Sequence, residues 1–95
     1  MNARVAFEGA HTVVKLEGDL DISVKSDLRR VLDSLSGLVI VDLSAVSFVD
    51  STAMGVIAFA GRRISGAGGE LWLRQPSYPV RGVLQVMGFE DWIES

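Results

Sequence analysis

Val5 and Phe7 alternate with Arg4, Ala6 and Glu8, and after Glu8-Gly9-Ala10-His11 a second extended stretch runs from Thr12 to Glu17. Two extended stretches separated by a glycine turn predict a β-hairpin with His11 at its tip. The period then changes. Val24, Leu28, Val31, Leu32 and Leu35 fall at helical spacing, while Lys25, Asp27, Arg29, Arg30 and Asp33 turn outward. This predicts an amphipathic helix with Ser23 as its cap and Gly37 as a left-handed terminator. Leu38 to Leu43 is apolar apart from Asp42, as expected for a strand covered on both faces in a parallel sheet.

The second half repeats the alternation of strand and helix. Thr52 to Ser65 contains no proline and carries two adjacent apolar stripes, Val56, Ala60 and Ile64 beside Met54, Ile57, Ala58 and Gly61. That surface is wider than one sheet-facing stripe requires. Gly66, Gly68 and Gly69 end the helix before a strand from Glu70 to Arg74. Val80, Val83, Leu84 and Met87 then mark a third helix that stops at Gly88, and Asp91 to Glu94 is read as a short last strand. Strands alternating with helices imply βαβ crossovers. The expected class is α/β: a mainly parallel sheet of four to five strands, an N-terminal antiparallel hairpin strand and about three crossover helices. Residues 1–95 are expected to form a single domain.

Composition narrows the function. The 95 residues include no cysteine, which removes disulfides, zinc-thiolate sites and cysteine nucleophiles. A net charge of −3 offers no basic face to a phosphate backbone, so direct nucleic-acid binding is disfavoured. Although 48% of residues are hydrophobic, no apolar run approaches the roughly 18 residues needed to cross a bilayer. The start lacks the order of a signal peptide. A cytoplasmic protein without membrane insertion is expected, with spare apolar surface for docking.

Candidate chemistry centres on Asp50-Ser51, where a buried strand passes into a helix. A helix start leaves main-chain N–H groups without intrahelical partners and carries partial positive charge, so a phosphate on Ser51 would sit favourably there. On residue chemistry alone, either Ser51 or Asp50 could simply be the cap. Sites in parallel sheets gather at the carboxyl ends of the strands, which brings Asp19 and Asp21 toward Asp50 and Ser51. Catalysis is rejected. A serine nucleophile needs a base within reach, and the only histidine, His11, lies in the hairpin turn. Gly66-Ala67-Gly68-Gly69 follows a helix and lacks the Lys-Ser or Lys-Thr of a phosphate-binding loop. The aspartates show no metal-ligand spacing, so neither cofactor nor metal is expected.

Leu38-Val39-Ile40-Val41-Asp42-Leu43, Val46-Ser47-Phe48-Val49 and Asp50-Ser51-Thr52-Ala53-Met54-Gly55-Val56 together resemble the STAS domain of sulfate transporters and anti-sigma factor antagonists. They are most similar to the bacterial anti-anti-sigma factors. Glu17-Gly18-Asp19-Leu20-Asp21, Gly68-Gly69-Glu70-Leu71, Val80-Arg81-Gly82-Val83-Leu84 and Gly88-Phe89 extend the likeness over nearly the whole chain in the right order. Ala53 departs from it, standing where the best-known members carry glycine. The resemblance implies a STAS-type fold and a regulatory module that binds an anti-sigma factor when unphosphorylated. It further implies that this partner's serine kinase activity phosphorylates Ser51 and switches binding off, and that a phosphoserine phosphatase reverses the step. ATP would belong to the partner. The partner surface it implies is Asp19, Asp21, Asp50, Ser51, Thr52, Met54 and Val83. The alternative is a constitutive STAS adaptor, as a subunit of a transport ATPase or a stress-signalling scaffold.

Overall fold

The computed structural model describes residues 1–94. Strand β1 (Asn2–Glu8) turns at Gly9, whose φ of 62° favours glycine, and pairs antiparallel with β2 (His11–Leu20). His11 is not in the turn itself but opens β2 opposite Glu8. Next come a 3-10 turn at Ile22–Val24, helix α1 (Lys25–Asp33), strand β3 (Leu38–Val49), helix α2 (Ser51–Gly66) and strand β4 (Glu70–Arg74). Helix α3 (Tyr78–Val86) and a second 3-10 turn at Glu90–Trp92 complete the chain. The four strands lie in the order β1-β2-β3-β4, with β2, β3 and β4 mutually parallel, as the alternation of periods predicts.

One face of this sheet is the core. Val14 and Leu16 of β2, Val39, Val41 and Leu43 of β3, and Leu71 and Leu73 of β4 point the same way. They meet Leu28 and Leu32 of α1, Ile57 and Ile64 of α2, and Val80 and Leu84 of α3. Each such side chain, fully buried, contributes roughly 1.5–3 kcal/mol. The wide apolar surface of α2 has a structural use: the helix packs against α1, β4 and the tail as well as the sheet. Arg63 of α2 donates to the carbonyls of Leu32, in the last turn of α1, and Leu35, just beyond it, each at 3.0 Å, tying the two segments together.

Several boundaries differ from the sequence reading, each for a local reason. β3 does not stop at Leu43 but runs to Val49, because β2 also continues to Leu20 and the two stay paired. Register shifts between Lys15 and Glu17 and between Gly18 and Asp19 absorb the mismatch, helped by Gly18 at a φ of 101°. In this extension only Val46 and Val49 are buried, a spacing of three that a period-two search does not find. Helix α1 ends at Asp33 rather than at Gly37; Gly37 is left-handed, but its carbonyl accepts from Glu70 N at 3.0 Å. Asp91–Glu94 is not a strand. Trp92 is drawn over α2 and meets Phe89 edge-on at 5.3 Å, leaving only Ile93 in an isolated parallel bridge to Leu73.

Gly69 explains how the two βα units close on each other. A Cβ there would lie 2.3 Å from the Gly37 carbonyl oxygen and 2.9 Å from its carbon, and backbone cannot swing aside. Gly55, inside α2, faces open space. Gly69→Ala is therefore expected to cost about 1–3 kcal/mol as an overpacked site. Gly55→Ala should instead stabilise by about 0.5–1 kcal/mol through helix propensity. Urea unfolding of both variants checks the opposite signs.

Candidate functional site

The ends of β2 and β3 are locked side by side, with Asp50 N donating to the Leu20 carbonyl at 3.0 Å. The residues that leave the two strands, Asp21 and Asp50, are thereby neighbours. Asp50 has extended backbone (φ −103°, ψ 175°), and its Oδ1 accepts from Ala53 N at 2.8 Å, so Asp50 is the N-cap of α2. The two capping possibilities thus resolve in favour of the aspartate. Ser51 becomes the first residue of α2, exposed at the helix start, with Thr52 half-buried behind it.

Asp21 has a local duty of its own. Its carboxylate accepts from the hydroxyl and the backbone N–H of Ser23, capping the 3-10 turn before α1. Ser23 therefore does not cap α1, whose N-cap, Val24, supplies no side-chain bond. The Ser23 hydroxyl first, and its backbone N–H second, hold the Asp21 carboxyl below its ordinary value. A depressed pKa favours the folded turn above the unfolded value, and the benefit is lost as pH falls through the folded one.

Not all nominated residues converge. Asp19 accepts from Ser47 Oγ at 2.7 Å and, by strand alternation from the buried Leu20, turns to the other face of the sheet. Met54 is 0% exposed among core side chains, so its nomination as a surface contact is corrected. Its helical spacing marks core because α2 turns that stripe inward. Val83 is half-buried on α3. What Ser51 lines instead is a groove of about 370 Å³ between α1 and α2, shared with Lys25, Arg29, Thr52, Gly55 and Phe59. Phe59 is 67% exposed, and Ile22, before the start of α1, is 68% exposed. The sequence reading missed both. Gly55 and Phe59, four and eight residues on from Ser51, were the signal for the first. A second, larger groove of about 530 Å³ between Trp72 and Trp92 contains none of the nominated residues.

The family model described as Mlab, STAS domain matches residues 3–94. This chain belongs to the STAS-domain family. Among curated protein sequences no match is found. Among solved structures, the STAS chain resembles the anti-sigma factor antagonist SpoIIAA in its unphosphorylated form, with a TM-score of 0.82 and 23% identity over 98% of this chain and 86% of that one. A candidate anti-sigma factor antagonist from Thermotoga maritima gives a TM-score of 0.85 at 21% identity, covering 97% of this chain and 83% of that one. A sulfate transporter family protein from Wolinella succinogenes gives 0.77 at 21% identity, with 94% and 75% covered. At these identities the likeness establishes the fold. No helix among the described residues is long and apolar enough to cross a membrane.

The division of labour between Asp50 and Ser51 has a measurable consequence for this STAS domain. Asp50→Ala removes the cap and is expected to cost about 0.5–2 kcal/mol. Ser51→Ala should stay within about 0.5 kcal/mol of the parent, as an exposed substitution away from the cap. Met54→Lys buries a charge in the core and should unfold the domain or cost several kcal/mol. Chemical denaturation of the three variants tests the ranking.

Proposed function

We propose that this chain is an anti-sigma factor antagonist controlled by phosphorylation of Ser51. Unphosphorylated, it binds an anti-sigma factor that has serine kinase activity, and so frees a sigma factor for transcription without touching DNA. The kinase transfers the γ-phosphoryl of ATP to Ser51 Oγ: the new O–P bond forms as the bond to ADP breaks, and the hydroxyl proton leaves to solvent or to a base on the kinase. A phosphoserine phosphatase restores the binding form. The chain itself acts in the cytoplasm by binding and performs no catalysis.

The observation that carries this reading is the placement of Ser51, exposed at the head of α2 and relieved of capping by Asp50. A hydroxyl so placed is accessible to a kinase, and its modification does not dismantle the helix start. Phosphoserine adds roughly −1.5 to −2 charges at neutral pH, beside Asp50 and close to Asp21. Like charges about 5 Å apart at an effective dielectric near 20 cost on the order of 3 kcal/mol, so a docked, partly desolvated surface is sensitive to the change. The likeness to an antagonist solved in an unphosphorylated form supports the same reading. Around Ser51, Asp21, Asp50, Thr52, Phe59 and Ile22 supply the polar and apolar contacts, with Val83 of α3 as an outlying contributor.

The likeness to a sulfate transporter family protein favours a second reading, a constitutive STAS adaptor in a transport assembly such as a transport ATPase. In it Ser51 is an ordinary polar contact. Titration calorimetry against the anti-sigma partner separates the two. Ser51→Ala is expected to bind as the parent does and to remain bound with ATP present. The phosphoserine form should lose at least tenfold in affinity, about 1.4 kcal/mol. Equal affinities of the serine and phosphoserine forms would leave the adaptor reading in place.

A further inference from the structure

Lys25 and Arg29 stand one helical turn apart on α1, both exposed, and both line the groove that Ser51 lines from α2. Their charges are uncommitted: the ion pairs among the described residues engage Arg4, Arg30 and Arg74 only. Arg30, next in sequence to Arg29, is paired with Asp27 at 3.2 Å. On sequence alone the two cations are a solvated helix face. The fold instead aims them into the groove opposite a serine at a helix start.

We propose that Lys25 and Arg29 form a clamp for the phosphoryl group of phosphoserine 51, so that the modified chain bridges the groove between α1 and α2. The inference rests on the reading of Ser51 as the phosphoacceptor and gives that switch an internal counter-charge. A guanidinium binds two phosphate oxygens with its planar fork, and an ammonium adds a mobile point charge, a combination suited to a dianion at one wall of a narrow groove. The acidic groups around the site do not fill that role. Asp50 is turned to Ala53 N and Asp21 to Ser23, while Asp33 lies a turn beyond Arg29 and lines the same groove. Before modification the charged lining, Lys25 and Arg29 against Asp33, is net positive; a phosphate dianion makes it negative. Phosphorylation thus does two things. It adds charge at the docking surface, and it withdraws two cations that an acidic patch on a partner would otherwise engage.

The test uses full-length chain with phosphoserine installed at position 51 during translation, so that neither kinase nor partner is needed, and follows the phosphate by phosphorus-31 NMR against pH. An exposed phosphoserine has its second ionisation near pH 6. The clamp is expected to lower it by about half a unit to one unit, less so at high salt. Lys25→Gln combined with Arg29→Gln should restore most of that difference, whereas Lys25→Arg should preserve it. The α2 terminus lowers the value equally in all variants and so cancels. Both glutamine substitutions lie on an exposed helix face, and circular dichroism confirms the fold. An unchanged phosphate ionisation in the double variant would overturn the clamp while leaving the Ser51 switch to stand on its binding data. Conversely, a clamp signal together with equal partner affinities of the serine and phosphoserine forms would overturn the switch alone.

Discussion

The parallel pairing of β2 with β3, carried beyond the end of β4 to Leu20 and Val49, is the constraint on which the rest of this molecule depends. It is the central pair of the sheet, and the helices packed on one face must start and end where these strands allow. Its last bond, from Asp50 N to the Leu20 carbonyl, sets the exit points of both strands against each other. From there one chain turns through Asp21 into α1, the other through Asp50 into α2. The groove between the two helices follows directly: its width near Ser51 is set by the separation of two strands hydrogen-bonded to one another. A site built this way inherits the stiffness of the sheet, although its residues sit at loop and helix ends.

The helices are held to the same frame from the other end. Arg63 bonds the Leu32 and Leu35 carbonyls at and just beyond the end of α1, and Gly69 lets the α2–β4 turn lie directly on the Gly37 carbonyl. Both helices are thus tied to the sheet frame at the end away from Ser51.

Much of the fold was legible from residue order, because strand and helix impose different periods and this chain keeps them distinct. The α/β class, the antiparallel hairpin followed by parallel strands, the helices around Leu28, Ile57 and Leu84, and the family resemblance all hold. What escaped notice were features with no period of their own. The β3 extension is bulged, so Val46 and Val49 are buried three apart. The tail from Asp91 follows Trp92 onto Gly61, a long-range contact that no local pattern announces. At the site, Asp50-Ser51 was visible as a strand-to-helix step, but which of the two caps depends on backbone angles. Met54, nominated as surface by the resemblance, is core as its apolar spacing indicates, while the aromatic Phe59 is surface, because the rotation of α2 about its axis is set by packing against α1, β4 and the sheet together.

That Asp50 holds the helix start while Ser51 remains exposed separates two selective pressures that a single capping serine would have fused. Loss of the aspartate is felt by folding, in every cell that makes the chain. Loss of the serine is felt only where something reads it. Under the proposed phosphoacceptor role, residue 51 can be substituted without an unstable intermediate, because the cap is carried by its neighbour. If the proposed switch holds, a change at residue 51 registers in regulation and a change at residue 50 in the stability of the helix start.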